Sequence, residues 1–465
     1  MEPGFWSNGD LDQQCRDSLD YWRSGATEVA RFSVENRVVF DNISCEEATV
    51  IQVGSVNKHG TLLQVVQVLA DVNLTIKKAY ISSDGGWFMD VFNVTDYHGN
   101  KIRDQEVINY IQKTIESNAS LLPSLRDSVG VMPSEDHTSI ELTGTDRPGL
   151  LSEVCAVLTD LNCNVVNAEI WTHNSRAAAV VHVTDYSTGR AVNDPKRLLT
   201  IKKRLCYVLK GDSDSQAAQM RLSPPESTHR GRRLHQIMFN DRDYERMETV
   251  GYPRSVHTYS RPHVTVSDCP EKDYTVIVMK SKDRPKLLFD IVCTLTDMQY
   301  VVFHGMVTTE RTEAYQEFYI RHVDGQPIRS EAERERVVQC LEAAIERRAS
   351  EGLELELRTE DRVGLLSEIT RLFRENGLTI QRAEISTKSG KAVDTFYVTD
   401  VAGAPVDPGT VNSIQQQIGQ TILQIKHNSF HTPKPAQETT MSFLFGNLFK
   451  CSSLQTLKRN SRYCN

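Results

Sequence analysis

An acidic or amide residue followed three positions later by glycine recurs at Asn57 and Gly60, Asp146 and Gly149, and Asp361 and Gly364; a fourth copy, Asp283 and Lys286, keeps the acid and loses the glycine. The surrounding stretches read S-V-N-K-H-G-T-L (55–62), T-G-T-D-R-P-G-L-L (143–151), K-S-K-D-R-P-K-L-L (280–288) and L-R-T-E-D-R-V-G-L-L (357–366). Each follows a short alternating apolar run and opens an apolar stretch of helical period, which predicts a strand-to-helix turn. Backbone N–H groups at the start of a helix favour a carboxylate. A glycine there lets the backbone approach a ligand with no Cβ in the way. The side chain of Asn57, Asp146, Asp283 or Asp361 could receive an amino group through charge-assisted hydrogen bonds. A purely structural role competes with this chemistry, because Asp before a helix is also a favoured N-cap worth about 1 kcal/mol. Pro148 and Pro285 could likewise serve only to pre-set φ in the first turn.

The elements that position these residues repeat with fixed spacing. From the loop glycine to the end of the following helix is 13 residues in each copy, reaching Asn73, Asn162 and Gly377, and Lys286 reaches Gln299 by the same step. The aspartate of V-T-D lies 36 residues after the glycine at Asp96, Asp185 and Asp400, whereas Asp324 lies 38 residues after Lys286. One supersecondary plan per copy explains such spacing. The plan is β-α-β-β-α with a fourth strand close by, the ferredoxin-like α+β arrangement. Leading strands are expected before units one and three, at 37–42 and 263–267, and closing strands for units two and four at 234–239 and 441–445. The last helix is expected over 410–426. The V-T-D aspartates are expected to start the turn before the second helix.

These boundaries divide the chain into a leader (1–34), unit one (35–130), unit two (131–215), a linker with the possible closing strand of unit two (216–261), unit three (262–350), unit four (351–430) and a C-terminal strand with a basic tail (431–465). The long Ser-, Arg- and Pro-rich linker suggests two tandem pairs, units 1+2 and 3+4.

D-R-P-G-L-L at the first strand–helix turn of this plan resembles the ACT domain, a small-molecule regulatory module. Four such copies with V-T-D ends, together with S-D-G-G-W-F-M-D-V-F-N-V-T-D and A-E-I-W-T, are similar to the plant ACT-domain-repeat proteins. The likeness spans about residues 36–450. It implies four ferredoxin-like βαββαβ domains and a free amino acid bound where two domains meet. The residues it marks for that ligand are Asp146, Gly149, Leu150 and Asn162, then Asp361, Gly364 and Leu365, and Asn57, Gly60 and Asn73. Lys286 leads us to expect no binding at the third loop. The likeness also implies a regulator working through a partner protein or self-association, with an interaction scaffold that binds no small molecule as the alternative.

Composition narrows the remaining classes. Net charge of −8 argues against general nucleic-acid or anionic-membrane binding. No apolar run approaches the ~18 residues of a spanning helix, and the acidic N-terminus does not read as a secretory signal. Ten cysteines without C-x-x-C spacing read as free thiols in a reducing compartment. Scattered histidines such as His59, His173 and His304 lack metal-ligand spacing, and phosphate-loop, Rossmann, H-E-x-x-H and G-x-S-x-G motifs are absent from the sequence. The expectation is therefore a non-enzymatic protein with no cofactor or metal. Cytoplasmic placement is expected, with a nuclear alternative through R-G-R-R at 230–233 or the basic tail.

Overall fold

Alternating apolar residues and evenly spaced turns give each unit one long hairpin flanked by a third strand and two helices. The computed structural model describes residues 37–56, 60–84, 87–116, 137–210, 219–222, 229–245, 261–269, 272–349, 352–419 and 422–426. The expected leader at 1–34, the strand at 441–445 and the basic tail lie outside these residues, as does Asn57.

Unit one comprises β1 (Arg37–Asp41), β2 (Thr49–Val56), α1 (Thr61–Asp71), β3 (Thr75–Asp84), β4 (Trp87–Thr95) and α2 (Gln105–Glu116). Unit two comprises β5 (Thr138–Thr145), α3 (Leu150–Asp160), β6 (Cys163–His173), β7 (Arg176–Asp185), α4 (Pro195–Lys210) and β8 (Gln219–Leu222). The linker then supplies α5 (Arg230–Asn240). Unit three has β9 (His263–Cys269), β10 (Tyr274–Lys282), α6 (Leu287–Asp297), β11 (Tyr300–Glu310), β12 (Glu313–His322) and α7 (Glu331–Glu346). Unit four has β13 (Leu353–Glu360), α8 (Leu365–Glu375), β14 (Leu378–Lys388), β15 (Lys391–Asp400), α9 (Pro408–Ile418) and β16 (Leu423–Ile425). Units one and three thus lead with their fourth strand, whereas units two and four close with it.

Two eight-stranded sheets result, in the orders β1-β2-β4-β3-β11-β12-β10-β9 and β16-β13-β15-β14-β6-β7-β5-β8. The expected pairing of units 1+2 and 3+4 is therefore corrected: sheets join unit one to unit three and unit two to unit four. Each unit's sheet has its fourth strand at one edge and the strand after its first helix at the other, and the latter meet antiparallel as β3–β11 and β6–β14. Proximity along the chain does not choose between those edges, because a strand edge offers the same row of N–H and C=O groups to any unit. A register shift falls at the same place in all four hairpins, at Lys77, Val166, Phe303 and Gln381. It bends the strand at each seam.

Two further expectations change. Residues 234–239 are not a strand but part of α5, whose Leu234, Ile237 and Met238 at i, i+3 and i+4 are buried. The edge they were expected to fill is taken by β8, paired with β5. The helix expected to reach residue 426 ends at Ile418, because Gly419 at φ 114° leaves the helix, and Leu423–Ile425 then pairs with β13 as the closing strand.

Each sheet carries one apolar core beneath its helices. One contains Ile51, Phe92, Phe289 and Phe318, the other Ile140, Leu158, Phe373 and Phe396. The opposite face of the second sheet is covered near its centre by α5, through Trp171, Ala178 and Val180 against Leu234, Ile237 and Met238. The V-T-D aspartates organise their turns, as the N–H groups of Ser187 and Thr188 donate to Asp185 and those of Ala402 and Ala404 to Asp400.

Candidate functional site

Antiparallel pairing at the β6–β14 seam lays α3 and α8 side by side in opposite directions. The N-terminal turn of one helix therefore meets the C-terminal corner of the other unit. Gly149 caps α3 at φ 82°, and a Cβ added there would lie 2.7 Å from Cδ of Arg374. Glycine is thus required both by its left-handed backbone and by the Arg374 stem lying across it. On the other side Gly364 caps α8 at φ 78°, and a Cβ added there would lie 3.6 Å from Cγ2 of Thr159.

A cavity of about 50 Å³ lies under the unit-two loop. Asp146, Gly149 and Leu150 line it together with Thr370, Arg374 and Thr379 of unit four. Most of the remaining lining is apolar, including Leu142, Val154, Ile170, Ala179 and Val181, with Ser152 and Thr172 among it. Burial raises the Asp146 carboxyl to about 6, against the Arg147 N–H and charge that favour ionisation. An arriving ammonium favours its ionised form, with the largest change at and below about pH 6. Arg147, which also lines the cavity, pairs with Glu153 at 2.6 Å.

The structural alternative for these acids fails at all three loops. The N-cap positions of α3, α6 and α8 are Gly149, Lys286 and Gly364, with no side-chain cap. Asp146, Asp283 and Asp361 are not helix caps. Asn162 and Asn73, expected to contribute side-chain contacts, occupy positive φ of 53° and 55° at helix ends. Both are exposed and neither lines a cavity, so their residue type is explained by the left-handed backbone. Amides that do cross the seam are Asn164, two residues later, which donates to Asp361 at 3.4 Å, and Gln381, which accepts from Thr172 at 3.2 Å. Sequence reasoning missed Asn164, Arg374, Thr379 and the cavity floor, because none lies in the repeated loop. Gly60 begins α1 at φ 88°. Lys286 holds the same left-handed conformation at φ 65°, and its loop covers a smaller cavity of about 30 Å³.

The unit-four loop has a different floor. Asp394 on β15 is 2% exposed. Burial raises its carboxyl to about 7, with a further push from the charge of Asp361. A carboxyl whose folded value exceeds its unfolded one keeps its proton in the folded chain between the two. Stability therefore falls as pH rises from about 4 to 7. Asp394→Asn should stabilise the protein by about 2–4 kcal/mol at pH 8 and by little near pH 4. Urea midpoints at the two pH values would show this, and an equal change at both would refute it.

A second polar cluster lies where α5, α6, the end of α7 and the second sheet meet. Asp290 of α6 takes hydrogen bonds from Arg284 at 2.6 Å and pairs with His235 of α5 at 2.7 Å and Arg348 at 3.5 Å. Asp243, just past α5, binds Arg347 through two nitrogens at 2.6 and 2.7 Å and His173 at 3.0 Å. At the seam Glu169 and Glu384 stand directly opposite each other. Like charges so placed repel. Burial would push both carboxyls up, yet Arg348 holds Glu169 down, and Arg382, Lys286 and Arg348 hold Glu384 down. Lys286, standing where the other loops have glycine, thus serves the neighbouring seam with its charge. Arg232 and Arg233 of R-G-R-R pair with Asp297 and Glu141, so they are not a free basic cluster. Among the described residues Cys155, Cys163, Cys293 and Cys340 are buried free thiols, with Cys155 pushed up to about 12 by burial. No group of three or more His, Cys, Asp and Glu among the described residues could hold a metal ion. None of the described helices is long and apolar enough to cross a membrane.

Residues 44–121 match the family profile of the ACR family N-terminal ACT domain, and 138–208 and 354–419 match that of the ACT domain. ACT domain-containing protein ACR6 of Arabidopsis thaliana is 68% identical over 422 residues, covering 89% of this chain and 96% of the relative. The chain belongs to the ACR family of ACT domain-containing proteins. ACR4 of the same plant is 59% identical over 421 residues, covering 90% of this chain and 93% of its own. A bifunctional uridylyltransferase/uridylyl-removing enzyme of Rhodospirillum rubrum is 27% identical over 248 residues, only 24% of that enzyme's length. Units two and four are thus the ACT domains that form the seam and its cavity.

Proposed function

We propose that this ACR-family protein is a non-enzymatic regulator that binds a free amino acid between ACT domains two and four. The supporting observation is the cavity where Asp146 and the N-terminal turn of α3 in one domain face Arg374 and Thr379 of the other. Asp146 suits an α-amino group, and the helix N-terminus with Arg374 suits a carboxylate. The reciprocal loop, with Asp361, Gly364 and Leu365 opposite Asn164, is the second candidate. A bound amino acid touches both domains and so favours one seam geometry over others, which a partner protein or a second copy could read.

A thermal-shift scan of the full chain against the twenty amino acids tests this reading, repeated with Asp146→Ala and Asp361→Ala. A ligand at a hundred times its Kd stabilises by about 2.7 kcal/mol. One amino acid that raises the melting temperature in the parent protein and not in a variant is the expected result. Silence across all twenty in a well-folded sample would leave an interaction scaffold as the better description.

A further inference from the structure

The four units differ at one strand position, which lines a cavity in units two and three. Opposite Val53, Leu142, Met279 and Leu357 in the strand pairs stand Asp90, Ala179, Gln316 and Asp394. All four are buried beneath the first helix of their unit. Ser82 N–H donates to Asp90 Oδ1 at 3.2 Å, and Ser386 N–H donates to Asp394 in the same way at 3.2 Å. Asp90 Oδ2 and Gln316 Oε1 have no hydrogen-bond partner among the described residues, and Gln316 lines the cavity under the third loop. Buried polar atoms left this way favour a ligand that donates to them. Only unit two breaks the pattern, with the methyl group of Ala179.

Resting on the amino-acid reading above, we propose that the cavity under the Asp146–Gly149 turn selects an amino acid with a small aliphatic side chain, and that Ala179 sets this selectivity. The charged groups of this cavity sit at one side, on the loop and α8, where Asp146 and Arg374 complement an ammonium and a carboxylate. Around Ala179 the lining is Leu142, Val154, Ile170 and Val181, and Thr172 at the sheet's rim already donates to Gln381, so this patch favours an apolar side chain. A charged side chain there would be stripped of water without a partner. Size acts in the same direction. The free space of about 50 Å³ holds a few atoms beyond one water, so a ligand enters by displacing the Arg374 stem from Gly149, and a large side chain finds no room. At the corresponding place in unit four, Asp394 beside Asp361 rejects an aliphatic group and welcomes a hydrogen-bond donor.

Isothermal titration of the full-length protein with alanine, valine, isoleucine, lysine, glutamate and serine tests this, using the parent chain, Asp146→Ala, Ala179→Asp and Ala179→Leu. The expected result is aliphatic binding that Asp146→Ala weakens and that either Ala179 variant weakens by about 10–100-fold. Ala179→Leu fills the cavity without adding charge, so a misfolded Ala179→Asp would not remove the test. Asp146-dependent binding of lysine, glutamate or serine in preference to the aliphatic set would overturn the selectivity and leave the regulator reading intact. Aliphatic binding unchanged in both Ala179 variants would also overturn it. Absence of any binding in the parent chain would remove both readings together.

Discussion

Asp290→Ala should destabilise the folded chain by about 3–5 kcal/mol, among the largest single-residue effects expected here. Asp290 is fully buried and answers three groups at once: Arg284, Arg348 and His235. Burial alone would push its carboxyl up, but the charges of Arg348 and Arg284 hold it well below the usual carboxylate range. Removing it leaves two buried guanidinium groups short of a counter-charge. Arg284 would retain the carbonyl oxygens of Ala344 and Ile345, and Arg348 would retain Glu169, which is why the loss stays within that range. The pH dependence has a definite sign. His235 is driven down to about 4 by burial, so between its unfolded value near 6.5 and about 4 the unfolded chain binds the extra proton and stability falls as pH falls. Asp290, depressed in the folded chain, adds a further loss below about 4. Denaturant midpoints of parent and variant from pH 7 to pH 3 would follow both; a loss under about 1 kcal/mol at pH 7 would mean the cluster is not a structural keystone.

Trp171→Ala is expected to cost about 3–5 kcal/mol as well. The indole is fully buried between the second sheet and α5. Its N–H donates to Glu169 at 3.0 Å, the Arg348 guanidinium lies 4.5 Å from the ring, and His235 meets it edge-on at 4.9 Å. The loss combines a cavity, an orphaned cation–π contact and the detachment of α5 from its sheet. Faster proteolysis near α5 should accompany the lower denaturant midpoint; an unchanged cleavage rate would show that α5 is held elsewhere. Trp171 and Asp290 both touch Arg348, so the double variant should deviate from additivity by at least about 0.5 kcal/mol. Strict additivity would mean that the two contacts stabilise the junction independently.

Much of this protein is written locally. The helix stripe Leu150, Val154 and Leu158 and the alternation of Ile140 and Leu142 specify helix and strand by period alone, wherever the unit ends up. The left-handed turns at Gly60, Gly149 and Gly364 and the turn-forming V-T-D aspartates are equally local, because the backbone angles they satisfy belong to a few consecutive residues. The repeated loop likewise marks Asp146, Gly149 and Leu150, which line one wall of the cavity.

The opposite wall was decided by tertiary structure. Arg374 and Thr379 line the cavity, and Asn164 reaches Asp361, only because β6 pairs with β14, and an exposed strand edge carries no label naming its partner unit. The same holds for α5. Its residues Leu234, Ile237 and Met238 suit a helix, and Leu234–Phe239 read alone also suits a strand. The outcome followed from β8 occupying the sheet edge and from Trp171 offering an apolar face for the helix to cover. Lys286 makes the point most sharply. Locally it is a misplaced residue in a glycine position, and only the approach of the Glu169–Glu384 seam gives its charge something to do. Backbone conformation and amphipathic period are short-range properties, legible in a window of residues. The choice among equivalent edges and the neutralisation of buried charge depend on groups up to some 200 residues apart, as between Asn164 and Asp361, where |i−j| is 197.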